Sequence, residues 1–210
     1  MKQIYKFLQF TLVGILLFAP QTRAKEQTTA KDVIETFNAT LLNVMQKATI
    51  LGYHGRNSTL KPVLLKTFDF PFMIEYAVGR SWKSFDEDQQ KKLVKAFSLF
   101  TIATYADRFN GYSGESFRIV KAVKSPQNTR LIKTELIKKN GKAIRLNYLL
   151  RNTGKGWQIM DIFLKGSISE LATKRSEYNM TVKRQGFDGL VSKINAKTAI
   201  LQAQSSPKSK

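Results

Sequence analysis

The chain has 210 residues, of which 35 are lysine or arginine and 15 aspartate or glutamate, with one histidine, no cysteine and a formal charge of +20. The absence of cysteine excludes thiol catalysis, disulfides and thiolate metal sites, and a single histidine leaves little for metal-dependent or histidine-based chemistry. In an intracellular protein this charge would suggest nucleic acid, but the first residues point to another setting.

Lys2 and Lys6 precede an apolar run from Phe7 to Ala19, followed by Pro20 and a small-residue exit at Thr22-Arg23-Ala24. This is the layout of a signal peptide cleaved after Ala24. Gln9 and Thr11 interrupt the run, which falls short of the roughly 20 apolar residues a spanning helix needs. The expected mature chain is a soluble, exported single domain over residues 25–201. The leader removes three basic residues (Lys2, Lys6, Arg23) and no acid, so +20 becomes +17. For an exported chain the natural anionic partners are membrane surfaces and acidic proteins, not nucleic acid, each basic residue near an anionic bilayer contributing up to about 1 kcal/mol. The basic residues are spread along the chain, so the charge biases location without marking a site.

Thr29-Ala-Lys-Asp32 reads as a capping box opening a helix whose stripe is Val33, Ile34, Phe37, Leu41, Val44, Met45, Ala48 and Leu51. Gly52 and Gly55 should interrupt it, and a second helical stretch is expected from Leu60 to Phe70, before Pro71 restarts the chain. The segment Phe68-Asp-Phe-Pro-Phe-Met73 carries more apolar surface than a short helix needs on one side. Ser84-Phe-Asp-Glu87 reads as another capping box; behind it Leu93, Phe97, Phe100, Thr101, Thr104, Tyr105 and Arg108 recur at helical spacing up to Asn110-Gly111.

The periodicity then changes from 3.6 to 2. Phe117 to Val123, Arg130 to Lys138, Ala143 to Arg151 and Trp157 to Leu164 are predicted strands, with hairpin turns at Asn140-Gly141 and Thr153-Gly-Lys-Gly156. In the third, Ile144, Leu146, Tyr148 and Leu150 share one face and Arg145, Asn147 and Arg151 the other. After Gly166 helix returns, broken at Gly186, and residues 202–210 form a polar tail predicted to be disordered. Helices, a meander and closing helices define an α+β domain.

Catalytic signals are sparse. His54 stands alone in a Gly-Tyr-His-Gly loop, no phosphate-binding glycine loop or nucleophile elbow is present, and no cluster has metal spacing. Asp161 is the one acid in an apolar strand, with Trp157, Ile159 and Phe163 on its face by strict alternation. It is either a pocket general base, as in cone-shaped isomerases and dehydratases, or a structural acid held by an arginine or backbone amides. Aromatic helices facing an antiparallel sheet can instead enclose an apolar cavity, in which burial of ~15 methylenes contributes roughly 12 kcal/mol gross without any catalytic group. A solidly packed interaction module is the third possibility.

Gly79-Arg-Ser-Trp82, the Asp-Glu-Asp-Gln-Gln90 helix start, Phe97, Thr104-Tyr105, Trp157-Gln-Ile-Met-Asp161, Gly166-Ser-Ile-Ser169, Tyr178 and Gln185-Gly186 together resemble the toluene-tolerance auxiliary-transport (MlaC) family of periplasmic phospholipid shuttles, from about Val33 to Ile194. Leu51-Gly-Tyr-His-Gly-Arg56, Thr67-Phe-Asp-Phe-Pro-Phe-Met73 and Gly186-Phe-Asp-Gly-Leu190 are more similar to its hopanoid-associated branch, HpnM. The resemblance implies a helical layer on a strongly curved antiparallel sheet of about four strands, cone-like, with an internal acyl-chain pocket. It implies a periplasmic, monomeric, non-enzymatic carrier of phospholipid or hopanoid, without cofactor or metal, serving membrane-bound transport complexes. By matching position, Trp82, Phe97, Tyr105, Tyr148 and Phe163 are the pocket candidates; Phe72, Met73, Phe100, Ile144 and Leu146 join them on pattern. Asp161 and the Gly166-Ser167 turn read as fold-determining.

Overall fold

A computed structural model describes residues 28–204. The predicted leader and residues 205–210 of the predicted tail lie outside them. Helix α1 (Ala30–Gln46) opens on the expected capping box: the Thr29 hydroxyl accepts from the Asp32 amide, and the Asp32 carboxylate accepts from the Thr29 amide at 2.8 Å. Its stripe of Ile34, Phe37, Leu41 and Val44 is wholly buried, and α1 lies against the sheet. Helix α2 (Ala48–Thr67) is kinked at Gly52, whose φ of 56° belongs to the left-handed region; nothing crowds the position, so conformation alone requires glycine. Gly55, expected to share this break, is inside the helix, which also runs through Pro62 and begins well before Leu60.

Nor does that helix reach Phe70. Phe68 is extended and forms a parallel bridge to Ile159, and the Asp69 amide donates to the Ile159 carbonyl at 2.9 Å. Pairing with the sheet therefore stops α2 where local apolar content would have continued it. Asp69 then caps α3 (Phe70–Val78), accepting from the Phe72 amide with Pro71 in the first turn. A 3-10 segment (Gly79–Ser84) leads to α4 (Glu87–Arg108). The capping box there is formed by Asp86 and Gln89, two residues later than expected, since the Ser84 hydroxyl is turned back to the Ser81 carbonyl.

Five antiparallel strands follow in the order β1 (Ser116–Ser125), β2 (Thr129–Ile137), β3 (Ala143–Asn152), β4 (Trp157–Leu164) and β5 (Ile168–Ser169). The fifth, not expected, is two residues long, too short for alternation to register. The Asn140-Gly141 and Thr153–Gly156 turns are where the sequence puts them. One irregularity matters for function: Leu149 pairs with Asp161 but Leu150 pairs with Ile159, so Met160 is an extra residue and β4 changes phase there.

Helix α5 (Glu170–Gln204) closes the structure, kinked at Gly186 (φ 68°), and includes residues 202–204 assigned above to the tail. It packs on α3 and α4, while α2 packs on α4. Where helices meet sheet the core is largely aromatic: Phe37 lies 5.5 Å from Phe68, 5.6 Å from Tyr105 and 5.9 Å from Tyr148 between ring centroids. Phe70 and Tyr178 meet Phe97 edge-on. No helix among the described residues is long and apolar enough to cross a membrane.

Candidate ligand cavity

Between α4, the start of α5 and the adjoining face of β3 and β4 lies a cavity of about 160 Å³. Helix α4 supplies one wall, because Phe97, Phe100, Thr101, Thr104, Tyr105 and Arg108 fall on one stripe. Thr101 and Thr104 add little polarity there: their hydroxyls donate back to the Phe97 and Phe100 carbonyls at 2.9 and 2.8 Å. The sheet supplies two directly opposed pairs, Leu146 with Leu164 and Tyr148 with Ile162. Phe68 and Met73 line it from the α2–α3 junction, and Leu171 from α5. Burial pushes the Tyr105 and Tyr148 phenols well up, so both stay neutral across the physiological range.

Charge is confined to three lining residues, Arg108, Glu170 and Lys174. Phe68, Met73, Phe97, Tyr148 and Leu171 are buried, whereas Arg108 is exposed and Glu170 and Lys174 are half-buried. The cavity thus has a buried apolar end and a charged rim. Burial depresses the Lys174 ammonium, opposed by Glu177, and the charges of Lys197 and Arg108 depress it further.

Six of the ten candidates line this cavity: Met73, Phe97, Phe100, Tyr105, Leu146 and Tyr148. Four are placed elsewhere. Phe163 pairs with Asn147 on the opposite face, because the extra residue Met160 inverts the alternation that had grouped Phe163 and Asp161 with Ile159. Ile144 shares the face of Leu146 but belongs to a surface hollow with Lys138, Lys142, Arg145 and Lys165, which no helix residue lines. Trp82 lines an outer groove with Leu65, Pro71 and Val94, and Phe72 stacks on Tyr76 beneath the Arg151 guanidinium. Of the lining residues not among the candidates, Thr101, Thr104 and Arg108 were on the α4 stripe and Phe68 in the phenylalanine-rich segment. Ile162, Leu164 and Lys174 carried no usable signal, the first two because of the bulge and Lys174 because it is one basic residue among many.

Asp161 is engaged through both carboxylate oxygens. Oδ1 accepts from the Ile162 and Leu171 amides at 2.7 and 3.0 Å, and Oδ2 accepts from the Ser169 hydroxyl at 2.6 Å. Ser169 in turn accepts from the Ala172 amide, so the pair caps α5. Burial raises the Asp161 carboxyl, and these hydrogen bonds oppose the rise. This is the structural acid tied to backbone amides. His54 is exposed on α2 against the Tyr53 ring, and among the described residues no group of acids and histidine could hold a metal.

The family model of the MlaC protein matches residues 32–196. The chain belongs to the MlaC family. Its fold is also that of a phospholipid-binding protein from Ralstonia solanacearum, solved in complex with a phospholipid: the TM-score is 0.73 at 19% identity, covering 83% of this chain and 99% of that one. At that identity the likeness establishes a shared MlaC-type fold, a mixed arrangement of helices on an open antiparallel sheet.

Proposed function

We propose that this MlaC-family protein is a non-enzymatic lipid carrier that holds acyl chains between α4, α5 and the sheet, with the headgroup at the Arg108–Glu170–Lys174 rim. The observation that carries the reading is the cavity itself: aromatic and aliphatic at its inner end, with neutral phenols, and charged only where it meets solvent. A phospholipid is the favoured ligand, since the Ralstonia solanacearum protein of the same fold was solved with one. The resemblance to the hopanoid-associated branch supplies a polycyclic lipid as the second class, and lipid extraction separates the two. The family, the leader-like N-terminus and the charge support a monomer in the periplasm that docks transiently on anionic membrane or on membrane-bound transport complexes.

The size of the cavity bears on mechanism. An engineered void of about 150 Å³ takes up a benzene, six carbons, so the 160 Å³ here accommodates only part of one acyl chain. Loading therefore requires the walls to part. The Phe68–Met73 segment is the element proposed to move, because Phe68 and Met73 line the cavity at the α2–α3 junction and the segment's polar ties to the sheet are concentrated at Phe68 and Asp69: the Phe68–Ile159 bridge, the Gln158 side-chain amide on the Phe68 carbonyl at 3.4 Å, the Asp69–Ile159 hydrogen bond and the Asp69–Arg151 ion pair at 2.6 Å. Closure explains why release would need a partner. The test is lipid uptake by the delipidated mature protein from phosphatidylethanolamine vesicles: a stoichiometric lipid co-migrating on gel filtration is expected, and an unloaded protein would overturn the reading.

A further inference from the structure

The rim of the cavity carries more charge than tail burial requires. Lys174 is costly where it is: its side chain is only 20% exposed, with the ammonium 5.0 Å from the Phe100 ring centroid and 5.8 Å from that of Tyr178. Its nearest carboxylate, Glu177, is 3.7 Å away, beyond hydrogen-bond range. That carboxylate is shared with Lys193 at 3.2 Å and with Lys197, which contacts it more closely still. Glu177 is thus divided among three lysines, and although Glu170 also favours the Lys174 ammonium, burial prevails and depresses it.

Arg108, at the end of α4, lines the same rim, close enough that its charge adds to the depression of the Lys174 ammonium. The remaining charged group lining the cavity is Glu170, so Arg108 and Lys174 leave one net positive charge there. Asp107, next to Arg108, acts on Arg56 and Tyr53. A guanidinium-bearing and an ammonium-bearing residue lining the same rim of an apolar cavity suit a tetrahedral oxyanion: arginine pairs with two phosphate oxygens at once, lysine with the same group as a point charge.

Building on the carrier reading, we propose that Arg108 and Lys174 form a clamp for the phosphodiester of a lipid headgroup, so that the protein selects phosphate-bearing lipids over neutral lipids with the same tails. The clamp reads the phosphodiester shared by phospholipids that carry a headgroup alcohol and not the alcohol itself, so discrimination among them is weak. Glu177, Lys193 and Lys197 position the Lys174 ammonium and do not touch the ligand.

The test is competitive loading of the delipidated mature protein from vesicles containing equal amounts of dioleoylphosphatidylethanolamine and dioleoylglycerol, read by native mass spectrometry. The zwitterionic lipid removes the general attraction of a basic protein for anionic membrane. The expected occupancy favours the phospholipid at least tenfold. Lys174→Met and Arg108→Gln should each reduce that ratio severalfold by lowering phospholipid occupancy alone, while Lys142→Met, at a residue that lines the separate surface hollow and not the cavity, leaves it unchanged. Phosphatidylglycerol in place of phosphatidylethanolamine should give a ratio within about threefold. Equal uptake of the two lipids by the unmodified protein overturns the clamp and leaves the carrier intact; uptake of neither overturns the carrier. A parallel loss of both lipids in the rim variants, or an equal effect of Lys142→Met, also overturns the clamp. Millimolar inorganic phosphate should not alter the ratio; if it displaces the phospholipid, the pair is a free-anion site and the proposal fails.

Discussion

Leu146→Trp distinguishes a ligand cavity from a packed core. Leu146 opposes Leu164 on the cavity wall, and tryptophan adds about six heavy atoms, a benzene's worth, which is the load a ~150 Å³ void accepts. At about 24 cal/mol per Å³ of residual cavity, the 160 Å³ void represents up to about 4 kcal/mol that filling could recover. Imperfect rotamers would return roughly 1–3 kcal/mol of this. The delipidated variant should therefore be between equally stable and about 3 kcal/mol more stable in urea denaturation, while lipid uptake from vesicles falls at least tenfold. Both proteins must be delipidated first, because bound lipid stabilises the native state by mass action. A variant that loses about 1–3 kcal/mol and loads lipid normally would show that position 146 belongs to a solid core and refute the reasoning.

Asp161→Ala should cost about 2–4 kcal/mol, since it removes the α5 cap and strands the buried Ile162 and Leu171 amides; Asp161→Asn, which keeps an acceptor, should stay within about 1 kcal/mol and load lipid normally in the same assays. Arg151→Gln removes the partner of Asp69 and the cation over Phe72, and is expected to cost about 1 kcal/mol and to speed lipid exchange between vesicles severalfold; unchanged exchange would argue against movement of the Phe68–Met73 segment. Burial works to raise the Glu177 carboxyl, but its hydrogen bonds and charge pairing with Lys197, Lys174 and Lys193 prevail and hold it below the ordinary glutamate range. Its stabilising contribution is therefore fully present above the unfolded value of about 4.3 and lost as pH falls through the lower folded value. Glu177→Gln should lower stability at pH 7 and flatten that part of the acid limb of the pH–stability curve.

Helix starts and hairpins were legible because their signals are local. Thr29 and Asp32 satisfy each other's backbone three residues apart, and Asn140-Gly141 makes its turn without help from the rest of the chain. The α4 stripe gave one wall of the cavity for the same reason. The opposite wall was misread because alternation presumes an unbroken strand, and the one extra residue at Met160 moved Ile162 and Leu164 inward and Phe163 outward. The end of α2 was set by a bridge from Phe68 to a strand some 90 residues away, a tertiary contact that helical periodicity does not encode. Lys174 became conspicuous only when its surroundings were known, since burial, and not residue type, separates it from the other basic residues.

The proposed carrier function is tested most directly by native mass spectrometry of the protein purified from its native host, followed by organic extraction and identification of the lipid. A stoichiometric adduct with the mass of a phosphate-bearing diacyl lipid, released on extraction, is expected. A clean unliganded mass would contradict it, and a polycyclic lipid without phosphate would preserve the carrier while refuting the rim clamp.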